Sequence, residues 1–117
     1  MQTIRENILK RALMTNAKIV LPEFSDKRVR DAISELEQIG ISVVSFDDKN
    51  PQDEKYINFL SKLKFTKNWS TEMLTDYLSN PLHLGAVLVA IGEADGMVAG
   101  SINSTADVIR TAIRIIG

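Results

Sequence analysis

Asp95-Gly96-Met97-Val98-Ala99-Gly100-Ser101-Ile102-Asn103-Ser104-Thr105-Ala106-Asp107-Val108-Ile109-Arg110 passes from an apolar run ending at glycine, through a polar turn, into a helical pattern. The run Asp95 to Gly100 reads as a short strand, and a final helix is expected to start near Ser104. Along that helix Ala106, Ile109, Ile113 and Ile116 form one apolar stripe, with Val108, Ala112 and Ile115 forming a second beside it. Only a narrow face is left polar, so the helix is expected to be mostly buried. Strand, turn and helix in this order are the unit from which parallel α/β sheets are assembled.

The preceding chain supplies more such units. Leu82 to Ala94 is almost continuously apolar, and periodicity alone cannot separate a buried helix from a buried strand there. Its length, with Gly85, Ala86 and Ala90 available for close packing, favours a helix. Ser70-Thr71-Glu72-Met73 carries a helix-start pattern, and that helix should run to about Ser79, before Asn80-Pro81. Glu54 to Leu63 is expected to be helical around Ile57, Leu60 and Leu63, after a polar loop from Asp47 to Asp53 that holds Pro51. Ile41 to Phe46 reads as a strand. Val29, Ile33, Leu36 and Ile39 fall at helical spacing between a cap at Ser25 or Asp26 and a stop at Gly40. Lys18 to Pro22 reads as a strand buried on both faces. Before it, Ile4, Ile8, Leu9, Ala12 and Leu13 outline a first helix that stops near Asn16.

The expected fold is α/β, a three-layer parallel sheet with helices on both faces. Three strands are few for a finished doubly wound domain, so the chain reads as an incomplete, amino-terminal part.

Composition narrows the function classes. With 117 residues, 44% hydrophobic and 25% charged, the chain resembles an ordinary globular protein. A formal net charge of -1 argues against nucleic acid or an anionic membrane as partner. The absence of cysteine excludes a disulfide or thiolate metal site and fits a reducing, cytoplasmic setting. The amino-terminal residues lack the apolar core of a signal peptide, and the apolar run Leu82 to Ile91 is too short to span a bilayer.

Chemistry is expected where the last strand meets its helix. Ligands of parallel sheets bind beyond the carboxyl ends of the strands, where helix amides lack partners and the peptide dipoles favour an anion. Asn103, Ser104 and Thr105 place small hydrogen-bonding side chains at that point. Asp107, Arg110, Thr111 and Arg114 form the helix's polar face, and Arg110 is the candidate for a forked phosphate contact. The same residues also admit a purely structural explanation. Ser104 and Asp107 fit a capping box, and Arg114 near a helix carboxyl end is favourable without any ligand.

Other features carry less. Gly92, Gly96 and Gly100 do not form a dinucleotide-binding pattern and suit a helix end, close packing and a turn. His83, the single histidine, is expected to be packed rather than a metal ligand, and no metal site is expected. Lys27-Arg28-Val29-Arg30 suits a solvated helix start, although Arg28 could face the carboxyl edge of the sheet. Trp69 and Tyr77 read as core or rim, and Met14, Met73 and Met97 as core filler.

The segment Glu93 to Arg110 closely resembles the phosphate acetyl/butyryl transferase family, in which a strand of the type A-D-G-M-V-A-G runs into an S-T-A-D-x-x-R helix. Lys18 to Glu23, followed by Arg28-Val29, is similar to the family's I-V-L-P-E and R-V. Lys67 to Ser70, Asn80-Pro81 and Leu84-Gly85-Ala86 match more loosely, and Ser42 to Leu63 looks shorter than usual. The resemblance implies an isocitrate/isopropylmalate dehydrogenase-like fold, with residues 1–117 as the amino-terminal portion of the domain. It implies acetyl transfer between acetyl phosphate and coenzyme A, the latter a substrate rather than a permanently bound cofactor. It places Ser104, Thr105 and Arg110 in the phosphate and coenzyme A cleft, with Asp107 supporting the loop or the arginine.

Arg110-Thr111-Ala112-Ile113-Arg114 departs from the family's R-P-A-L-Q. The family's catalytic serine, arginine and aspartate lie in a later segment that no part of this chain matches. No catalytic residue is therefore expected here, and the isolated chain should be inactive. The alternatives are a non-catalytic acetyl-CoA-binding module, related to domains fused to malic enzymes, and butyryl rather than acetyl transfer. Family members commonly form homodimers.

Overall fold

The computed structural model describes residues 16–117, and the expected first helix and Met14 lie outside them. Among the described residues the sheet has three parallel strands, β1 (Lys18–Val20), β2 (Ser42–Val43) and β3 (Gly96–Met97), in the order β2-β1-β3. Lys18 and Ile19 pair with Ser42 and Val43, while Ile19 and Val20 pair with Gly96 and Met97. The strands are shorter than the apolar runs that announced them. At one end the Lys18 and Asp95 backbones are joined by a 2.7 Å bond from the Asp95 amide to the Lys18 carbonyl. The Asp95 side chain also accepts from the Lys18 amide at 2.7 Å. Five α-helices occur among the described residues.

Those helices are α1 (Lys27–Gln38), α2 (Glu54–Ser61), α3 (Thr71–Leu78), α4 (Pro81–Ala90) and α5 (Thr105–Ile115). Each start is set by a side chain that accepts a first-turn amide: Asp26, Asp53, Ser70, Asn80 and Ser104. Asp26, not Ser25, caps α1. The ambiguous apolar run is helical. Asn80 caps it with Pro81 in the first turn, and Gly92 beyond its end takes a φ of 86°.

The core gathers Val20 of β1 with Tyr56, Leu60, Leu74, Leu78, Leu84, Ala86, Val87, Leu88, Ala94 and Ile115. Helix α4 is its centre, touching α2, α3, α5 and β3. Its close approach to β3 requires Gly85, where a Cβ would stand 3.0 Å from the Met97 sulfur. Helix α1 lies against β2 and buries no residue fully.

Three expectations fail. Strand β1 is not buried along its length, since Lys18 is exposed and Ile19 half-covered. Met73 is 49% exposed rather than core filler, because it follows the α3 cap on the solvent side. Helix α5 is not mostly buried. Thr111 and Ile115 face the core, whereas Ile109, Ile113 and Ile116 are 54%, 67% and 43% exposed. One core can cover only one face of a helix, and α4 takes the Thr111–Ile115 face.

Gly85→Val should destabilise the fold by about 2 kcal/mol through overpacking against Met97. Urea titration checks this, and a Met97→Ala background should remove most of the penalty.

Candidate functional site

The turn between β3 and α5 is built around one carboxylate. Glu23 follows Pro22 just past the end of β1 and is 4% exposed. Its Oε1 accepts from the amides of Gly100 at 2.6 Å and Ser101 at 2.9 Å. Its Oε2 accepts from the amides of Ile102 at 2.7 Å and Asn103 at 2.6 Å, and from Asn103 Nδ2 at 3.1 Å. Gly100 makes the wrap possible, with a φ of 127° that side-chain-bearing residues rarely adopt. Burial alone would raise the Glu23 pKa, but the amides of Asn103, Ser101, Ile102 and Gly100 outweigh it and lower it to about 2. Glu23 stands in the I-V-L-P-E match but drew no role from sequence. Its partners lie 77 to 80 residues away, where no local pattern can reveal them.

Immediately after this turn Ser104 caps α5, its Oγ accepting from the Asp107 amide at 3.1 Å. The reciprocal half of the capping box does not form. The Asp107 carboxylate instead accepts from Arg110 Nη1 at 2.9 Å. Both side chains are a little over half exposed.

Asn103, Asp107, Arg110, Thr111 and Arg114 line a cleft of about 310 Å³ together with Tyr77, Asn80, Leu82 and His83. Three of the five expected site residues, Asn103, Asp107 and Arg110, thus share one concavity. Ser104 and Thr105 stand exposed at the helix start and do not line it.

The opposite wall of the cleft is aromatic. The His83 and Tyr77 rings stack in parallel at 3.7 Å, and Tyr77 adjoins Phe65 and Trp69. His83 Nδ1 lies 2.8 Å from the Tyr77 carbonyl oxygen. A carbonyl only accepts, so Nδ1 carries the proton and Nε2 is the basic nitrogen. Burial pushes the His83 pKa down, which keeps the ring neutral near pH 7. Arg114 lies over the Phe65 ring, 5.6 Å from its centroid.

Arg28 does not reach the cleft lining; it forks onto Asp26, 2.9 Å from Nη2 to Oδ2. A second cavity of about 310 Å³, lined by Leu21, Phe24, Ile33, Val44 and Phe46 among others, has no cationic side chain in its lining. Among the described residues no cluster of three or more metal-ligating side chains occurs, and no helix is long and apolar enough to cross a membrane.

The family model described as phosphate acetyl/butaryl transferase matches residues 40–117, which takes in β2, β3, the loop and α5. The chain belongs to this family. It is similar to a phosphate acetyltransferase of Acetivibrio thermocellus, 34% identical over 95% of the chain and 40% of the relative. A phosphotransacetylase structure from Streptococcus pyogenes superposes with a TM-score of 0.77 at 27% identity, over 97% of the chain and 43% of that protein. A phosphotransacetylase from Staphylococcus aureus follows with a TM-score of 0.67 and 30% identity, over 94% of the chain and 41% of that protein. The small parallel sheet with its helices is thus the fold of phosphotransacetylase structures. The chain spans about two fifths of the length of these relatives.

Glu23 has a pKa below its unfolded value, so its contribution is complete above about pH 4.5 and is lost as pH falls through about 2. Glu23→Gln should cost roughly 3 kcal/mol at pH 6, and the gap to the wild type should close as pH falls toward 2. Urea titrations across that range check it.

Proposed function

We propose that this chain is the phosphate-holding, amino-terminal portion of a phosphate acetyltransferase, residues 1–117 forming part of a larger domain that further chain completes. The finer architecture, an isocitrate/isopropylmalate dehydrogenase-like sheet layered by helices on both faces, belongs to the same proposal. The reaction moves an acetyl group between acetyl phosphate and coenzyme A. The coenzyme A sulfur, having lost its proton to a base, bonds to the acetyl carbon. The carbon–oxygen bond to phosphate breaks, and phosphate departs with that electron pair.

The observation that supports this reading is the placement of Arg110. Its side chain is 55% exposed and the residue lines the same cleft as Asn103, one and a half turns into α5. An arginine so placed can fork onto phosphate oxygens while the helix start, with Ser104 and Thr105, favours the negative charge that the leaving phosphate gains. The carboxylate lining the cleft, Asp107, accepts from Arg110, and the base that takes the thiol proton is expected from chain outside these residues, as the family resemblance implies. That same engagement favours, as a second reading, an acetyl-CoA-binding regulatory module. Butyryl in place of acetyl would use the same phosphate contacts.

In the full gene product, acetyl-CoA should form from acetyl phosphate and coenzyme A, followed by thioester absorbance. Arg110→Ala should lower kcat/KM for acetyl phosphate by about a hundredfold, while residues 1–117 alone should give no turnover. No acetyl-CoA from the full product would end the enzymatic reading, and calorimetric binding of acetyl-CoA without turnover would establish the regulatory one.

A further inference from the structure

We propose that Glu23 is a positioning residue for the acyl phosphate: by gathering the loop amides of Gly100 to Asn103 inward, it leaves the phosphate to the side chains of α5 that line the cleft. The proposal rests on the acetyl-transfer reading above.

Four consecutive backbone N–H groups converging on one point form an anion nest, and such nests commonly hold phosphate. Here the nest is already filled from within. The four amides of Gly100, Ser101, Ile102 and Asn103 divide equally between the two Glu23 oxygens. Asn103 Nδ2 adds a fifth donor to Oε2, which uses one of the two N–H groups of that carboxamide. A carboxylate offers about four lone-pair sites, so this one is saturated. A second anion entering the nest would meet a fixed negative charge and no free donor. The donors that remain around the cleft are the Arg110 and Arg114 guanidinium groups and the second Asn103 N–H, with the first-turn amides and hydroxyls of α5 beside them.

The same contacts fix where those donors stand. Glu23 extends from the end of β1, so its grip sets the position of Asn103 and, directly after it, of the Ser104 cap and the axis of α5. Arg110 lies on that axis. A glutamine at position 23 would set an NH₂ donor against two of the amides and release them. An aspartate keeps the charge but is one methylene short of reaching all four. Both changes shift the α5 start relative to β1, which an acyl phosphate would feel through its phosphate oxygens.

The test is steady-state kinetics on the full gene product carrying Glu23→Gln and Glu23→Asp, each checked for thermal unfolding. Glu23→Gln should raise KM for acetyl phosphate about tenfold or more, with KM for coenzyme A changed by less than about twofold. Glu23→Asp should fall between it and the wild type. Equal rises in both KM values would show a merely structural role and overturn the proposal, as would an unchanged KM for acetyl phosphate. If Glu23→Gln does not fold, the Glu23→Asp enzyme decides alone, a selective rise supporting the role and none overturning it. A wild-type enzyme that forms no acetyl-CoA overturns the acetyl-transfer reading and this role together. Normal wild-type turnover beside indifferent Glu23 variants overturns only the role of Glu23.

Discussion

A charged carboxylate cannot sit in a protein interior unless its lone pairs are filled, and the Glu23 side chain is filled by five donors from four consecutive residues. The bond has two ends of equal need. Without Glu23, the turn from Gly100 to Asn103 would hold four amides pointing inward with no acceptor, each costing about 1–3 kcal/mol if left unmet. Without the turn, Glu23 would be a buried charge with no partner. The contact therefore forms as a unit. It joins the end of the first described strand to the start of the last helix, across nearly 80 residues of chain.

From this junction the rest of the site follows. Asp95 closes the opposite end of the β1–β3 pair by bonding to Lys18, so the two strands are locked at both ends by acidic side chains. With β3 and its turn fixed, α5 must leave along the line its cap allows. Helix α4 then receives Thr111 and Ile115 on one side while Gly85 admits the Met97 side chain on another. The cleft is what remains between the polar face of α5 and the aromatic wall of Tyr77 and His83.

Much of this was legible in the sequence, and the reasons divide by range. Caps are local, so Asp26, Ser70 and Ser104 could be read from spacing and each holds the amide its position requires. The apolar run after Asn80 resisted periodicity, yet its boundaries carried the answer in Asn80-Pro81 and Gly92. What could not be read were matters of coverage and distance. Two apolar stripes on α5 imply burial only if two surfaces exist to cover them, and the described residues supply one. The acceptor for the amides after Gly100 could not be read, because it follows a different strand nearly 80 residues earlier. The amides of the β3–α5 turn do converge on an anion, and that anion is a glutamate of the chain itself.

The site thus separates strong commitments from weak ones. The loop amides are bound to a buried charge in a place shielded from water, where hydrogen bonds to a charged group are at their strongest. Among the described residues Arg110 is held only by an exposed pair with Asp107, and exposed pairs contribute about 0–1 kcal/mol. Arg114 has an aromatic face beneath it, which leaves its N–H groups uncommitted to that ring. A phosphate reaching the cleft can recruit both guanidinium groups at little cost, because little is broken to free them. It would have to dismantle the junction of β1 and α5 to recruit the loop amides. Under the proposed phosphate contact, anion selectivity would be set less by which donors are near than by which are already taken.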